Sequence, residues 1–80
     1  MTIRIWLFAR YRELAGVTAL DLEVAPGTSL ATLWGMVQRR VPALSSEANP
    51  LMAIDQAYAR PEEIVTAGIE VAYFPPVSGG

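Results

Sequence analysis

The residues of this chain best suited to chemistry stand at its end: Pro75-Pro76-Val77-Ser78-Gly79-Gly80, preceded by Tyr73-Phe74. Frayed ends are commonly polar, whereas this one presents an aromatic ring, two prolines and a valine before its glycines. Pro75 and Pro76 hold the exit extended and stop a strand from continuing, because neither has an N–H for a ladder. The stretch from Pro76 to Gly80, at up to ~3.4 Å per residue, spans about 17 Å. Gly79 and Gly80 carry no side chain, so a carboxylate on Gly80 can enter a channel that any Cβ would obstruct. A stiff spacer with a slim acidic tip suits delivery of that carboxylate to another protein's active site.

Other reactive side chains are scarce. His and Cys are both absent, which excludes Ser–His and Cys–His nucleophilic sites, disulfides, and zinc sites of the usual ligand types. Lysine is absent too, since all six cations are arginines (Arg4, Arg10, Arg12, Arg39, Arg40, Arg60). That excludes a Schiff-base or P-loop lysine. Gly27 and Gly35 are isolated, so the chain has no phosphate-cradling glycine loop with which to activate its own carboxylate. Activation must come from a partner. Glu62 and Glu63 are adjacent acids at a predicted helix start, where the helix dipole accounts for them. Arg39-Arg40 reads as a solvated helix end, and Trp34 as core. Arg12-Glu13 fits either a structural ion pair or a contact with an activating enzyme.

The formal charge of −2 over 80 residues argues against nucleic-acid binding, which calls for a basic face. No apolar run approaches the ~20 residues of a membrane span. The first thirteen residues, MTIRIWLFARYRE, interrupt their apolar stretch with charge and so lack a signal layout. A cytoplasmic location is expected. One small domain must bury only about 60% of its unfolded surface. With no disulfide or metal to help, the 52% hydrophobic content has to supply the core.

These elements must position the tail. Residues 2–9 alternate, with Ile3, Ile5 and Leu7 on one face and Trp6 and Phe8 on the other, which is strand periodicity. Residues 10–16 read as a short helix stopped by Gly16. Residues 18–24 alternate with one polar face, as an edge strand does. Thr28 or Ser29 caps a helix over 29–41, whose Leu30, Leu33, Trp34, Val37 and Val41 form one apolar stripe. Residues 43–50 read as a polar loop, and 51–55 with 58–60 as a hairpin around Gln56-Ala57. Pro61-Glu62-Glu63 reads as a short helical turn, and 69–75 as the last strand. The first and last strands, apolar on both faces, are the natural central parallel pair. The expected fold is α+β: a β-grasp, ubiquitin-like mixed sheet over residues 1–75 with one main helix on one face and a flexible tail at 76–80. Ile3, Ile5, Leu7, Leu20, Leu22, Leu30, Leu33, Val37 and Val71 should be buried. Phe8, Phe74 and Tyr58 should form an apolar patch on the helix-free face near the tail's exit, of the kind that marks an interface.

The segment FPPVSGG at 74–80 resembles the C-terminus of the small, sulfur-carrier subunit of molybdopterin synthase. Phe8-Ala9, Arg12-Glu13 and Gly16 are similar to that family's pattern after its first strand. The chain departs from it at Gly68-Ile69 and Asp55-Gln56, both away from the tail. The resemblance implies that a separate ubiquitin-activating-like adenylyltransferase adenylates Gly80 with ATP. Sulfur then gives a C-terminal thiocarboxylate. The tail enters the large subunit of a heterotetramer of two small and two large subunits, and sulfur passes to cyclic pyranopterin monophosphate to build the molybdopterin dithiolene. It also implies a chain that is no enzyme on its own and binds no cofactor. Phe8, Tyr58, Phe74, Pro75, Pro76, Val77, Ser78 and Gly79 would meet the partner. Two other readings compete: a sulfur carrier for another pathway, such as thiamine thiazole synthesis, and a ubiquitin-like protein modifier. The Phe-Pro-Pro spacer argues against the first.

Overall fold

The computed structural model describes residues 1–76. In chain order they form β1 (Thr2–Leu7), α1 (Arg10–Ala15), β2 (Ala19–Glu23), α2 (Leu30–Arg40), a 3₁₀ turn (Pro42–Leu44), β3 (Leu51–Ile54), β4 (Ala57–Ala59) and β5 (Glu70–Phe74). The strands make one mixed sheet in the order β2-β1-β5-β3-β4. β1 and β5 are its parallel centre, with Ile5 opposite Val71 and Leu7 opposite Tyr73. All other pairings are antiparallel. This is the β-grasp arrangement expected from the two doubly apolar strands.

Ile3, Ile5, Leu7, Val71 and Tyr73 point toward α2 and are fully buried with its Leu30, Leu33 and Val37. Ser29 is the helix cap, its hydroxyl oxygen accepting from Thr32 N–H at 3.1 Å. Arg39 and Arg40 occupy the last turn, where cations meet the negative end of the dipole. Gly16 ends α1 in the left-handed conformation, φ 74°. Ala9, just before α1, also takes a positive φ of 51°, costly for a residue with a Cβ. That kink swings the chain from β1 straight into α1.

Four expectations need correction. Leu20 and Leu22 are only half-buried, because β2 is the sheet edge and one of its flanks meets solvent. Residues 43–50 are not a simple polar loop: Leu44 is fully buried. Side chains of α2 hold the segment down, with Trp34 Nε1 donating to Glu47 O at 3.0 Å and Gln38 Nε2 donating to Leu44 O at 3.1 Å. The hairpin turns at Asp55-Gln56, one residue earlier than expected, with φ of 48° and 70°. Positive φ at both centres is what a type I′ turn requires. Finally, Pro61-Glu62-Glu63 is a turn and not a helix, closed by Glu63 N–H donating to Arg60 O. Its carbonyls serve α2 instead, since Leu30 N–H donates to Glu63 O and Ala31 N–H to Pro61 O, both at 2.9 Å. These bonds satisfy helix-start donors that would otherwise be orphaned.

Candidate functional site: the tail exit and the helix-free face

Alternation along β1 and β5 turns Trp6, Phe8, Ala72 and Phe74 away from α2. Phe8 and Phe74 stack at 4.6 Å between ring centroids with planes 15° apart. Tyr58 of β4 meets Phe74 edge-on at 6.4 Å. Tyr58 is 80% exposed and Phe8 37%, large apolar surface left open among the described residues. The structure thus brings together the three aromatics expected there. Phe74 is both the last residue of β5 and the centre of the patch, so the tail leaves from the patch itself. Pro75 is half-buried and Pro76 exposed at that exit. Val77, Ser78, Gly79 and Gly80 lie outside the described residues.

The cross-strand registers order this face in rows. Nearest the exit are Phe8 and Phe74, with Leu51 opposite Phe74. The next row reads Ala19, Trp6, Ala72, Ala53, Tyr58 across all five strands. Beyond it lie Asp21, Arg4 and Glu70. Between these rows is a hollow of about 510 Å³, lined by Trp6, Phe8, Gln56, Tyr58, Glu70 and Phe74 over Ala53 and Ala72. Trp6 Nε1 donates to Glu70 Oε2 at 2.9 Å across its lower end. Sequence periodicity puts Trp6 on this face. The parts played by Ala53, Ala72, Gln56 and Glu70 depend on strand order, which periodicity does not give.

The opposite side of the sheet supports the exit. Tyr11, Trp34 and Tyr73 form an aromatic cluster under β5, with centroids 5.0 and 4.7 Å apart. The Tyr73 hydroxyl donates to Leu30 O at 2.7 Å, tying the tail-bearing strand to the start of α2. Burial pushes the Tyr73 hydroxyl well above its ordinary pKa, and the Tyr11 hydroxyl upward too. Arg10 at the start of α1 pairs with Glu47 at 2.6 Å, a tie not expected from sequence. Arg12 and Glu13 are exposed and form no ion pair among the described residues. Glu62 and Glu63 are exposed on their turn. No acidic cluster among the described residues could hold a metal ion, and no helix there is long and apolar enough to cross a membrane.

The fold and its apolar exit define a ubiquitin-like β-grasp domain, and comparison with known proteins narrows this. Residues 5–80 match the ThiS family model. The molybdopterin synthase sulfur carrier subunit of Haemophilus influenzae is 39% identical over 80 residues, spanning 98% of this chain and 99% of that protein. That of Chlamydomonas reinhardtii is 37% identical over 83 residues, spanning the whole of both. Among solved structures, small archaeal modifier protein 1 of Haloferax volcanii superposes with a TM-score of 0.87 at 27% identity, covering 100% of each chain. The chain therefore belongs to the ThiS family, with the molybdopterin synthase sulfur carrier subunits as full-length relatives.

Proposed function

We propose that this chain is the sulfur-carrier subunit of a molybdopterin synthase and works by presenting its C-terminus. A carboxylate is a poor sulfur donor, because its oxygen is a poor leaving group. A separate ubiquitin-activating-like adenylyltransferase converts the Gly80 carboxylate and ATP to an acyl adenylate and pyrophosphate. A sulfur nucleophile then displaces AMP, leaving a thiocarboxylate on Gly80. The Phe8–Phe74–Tyr58 patch docks on the large subunit, and Pro75 to Gly79 thread the tip into its active site. There the sulfur passes to cyclic pyranopterin monophosphate on the way to the molybdopterin dithiolene. The observation that carries this reading is that the tail leaves from the patch, at Phe74, so docking and delivery are coupled through one residue.

The test is intact-mass analysis after incubation with the activating enzyme, ATP and a sulfur donor. A sulfur-for-oxygen exchange confined to the C-terminal peptide is expected, and an unaltered mass would contradict the proposal. The full-length likeness to an archaeal modifier favours one second reading, conjugation to lysines of target proteins. High-molecular-weight adducts in cells would support it, whereas one discrete partner supports the synthase.

A further inference from the structure

The hollow on the helix-free face has a graded build that simple aromatic docking leaves unexplained. Ala72 and Ala53 are opposite one another on adjacent strands, and they are flanked in the same row by Trp6 and Tyr58. The row thus runs large, small, small, large, and makes a trough with a floor of two methyl groups. Ala53 is only 4% exposed, so the floor is already screened by its walls and lacks only a side chain to fill it. The Phe8–Phe74 stack closes the trough at the tail exit. Its other end is acidic. Glu70 stands there with one carboxylate oxygen held by the Trp6 indole at 2.9 Å. Its other oxygen has no donor among the described residues. The neighbouring cation, Arg4, is committed to Asp21 by two hydrogen bonds of 3.0 and 3.2 Å.

We propose that this trough receives an apolar side chain of the large subunit, and that Glu70 takes a basic side chain from the same docking segment. The inference rests on the synthase reading and adds to it the residues that select the partner. The occupant follows from two features. The trough is continuous with the aromatic patch from which the tail leaves, so whatever binds the tail also covers the trough. Its charge complement is cationic, because the Glu70 carboxylate is hydrogen-bonded, among the described residues, only to a neutral indole, and Arg4, which stands opposite and feels its charge, gives its hydrogen bonds to Asp21. A docking segment with an aliphatic side chain and, farther from the tail channel, a Lys or Arg fits both. Ala72 and Ala53 then exclude partners by size, and Glu70 excludes them by charge.

The test measures binding of the full-length carrier to its cognate large subunit at several salt concentrations. Ala72→Leu fills the trough from an outward-facing position, so it should leave the thermal midpoint nearly unchanged and weaken binding about tenfold or more. Ala72→Ser keeps the trough open and should bind like the natural protein. Glu70→Gln should weaken binding and flatten its salt dependence, since a charge pair at an interface is screened by salt. Near-natural affinity of folded Ala72→Leu, or an unchanged salt dependence with Glu70→Gln, would overturn the proposal. Phe74→Ala serves as the control that separates the two readings. If it weakens binding while Ala72→Leu and Glu70→Gln do not, the docking face stands and the trough has no part in selection. If the natural carrier does not bind the large subunit at all, both readings fall.

Discussion

Replacing Phe74 by Ala separates what the aromatic patch does for the fold from what it does for binding. A fully buried Phe→Ala change costs about 3–5 kcal/mol. Phe74 is half-buried on the outer face of β5, so roughly half of that applies, about 1.5–2.5 kcal/mol. Part of this is its stack on Phe8, since such pairs contribute about 0.5–1.5 kcal/mol beyond burial. A double-mutant cycle with Phe8→Ala in urea denaturation isolates that part. Binding should suffer separately, because an aromatic at the centre of an interface is the usual hot spot. A loss of about 2 kcal/mol or more is expected, on the order of 30-fold in Kd for the large subunit by titration calorimetry. A folded Phe74→Ala protein with natural affinity would remove Phe74 from the interface. A coupling near zero in the cycle would show that the stack lends the patch no rigidity.

Three further outcomes follow from the fold. Gln56 holds φ 70° at the second centre of the hairpin turn, where glycine is free of the Cβ clash; Gln56→Gly should therefore stabilise by about 1 kcal/mol, read as a rise in thermal midpoint. Leu44→Ala should cost about 2–5 kcal/mol despite its polar neighbourhood, because its side chain is fully buried; a cost below ~0.5 kcal/mol would return residues 43–50 to the status of a surface loop. Burial raises the pKa of both the Tyr11 and Tyr73 hydroxyls above the unfolded value of about 10. Their contribution is thus complete below that pH and is lost as pH rises above it, when the unfolded chain releases protons the native one keeps. With no Lys or Cys present to obscure this loss, urea midpoints should fall as pH rises from roughly 9 to 11. A flat profile would contradict the buried tyrosine cluster.

Strand alternation made the sheet legible because it reports which face each residue takes. From Ile3, Ile5 and Leu7 it follows that Trp6 and Phe8 face away from the helix, and the two apolar faces of β1 and β5 mark them as the centre. The Phe8–Phe74–Tyr58 patch came from the same logic. What the sequence hid was decided by distant partners. Pro61-Glu62-Glu63 carries local helix-start signals, yet α2 needs its carbonyls as acceptors, and that tertiary demand outweighs the local preference. Asp55-Gln56 is a poor turn by residue type. Its position is fixed by the Asp55 carboxylate accepting Glu70 N–H at 2.9 Å from fifteen residues away. Leu44 is buried because Trp34 and Gln38 hold its loop. The trough is invisible until the register sets Ala72 between Trp6 and Ala53.

Gly80 is the proposed reacting residue, and its removal separates folding from function. The buried core among the described residues runs from Ile3 to Tyr73, so deleting Gly80 should leave stability and the docking face almost unchanged. Thiocarboxylated at its new end, the shortened tail would present its sulfur about one residue, ~3.4 Å, short of the partner's reacting groups. Reactions of this kind need atoms within roughly 3–3.5 Å and lose rate steeply with an ångström of misplacement. The measurement is product formation by the reconstituted synthase, with thiocarboxylated full-length carrier compared with the Gly80 deletion. Conversion is expected with the first and essentially none with the second. Near-normal conversion by the shortened chain would rule out Gly80 as the residue that carries the sulfur.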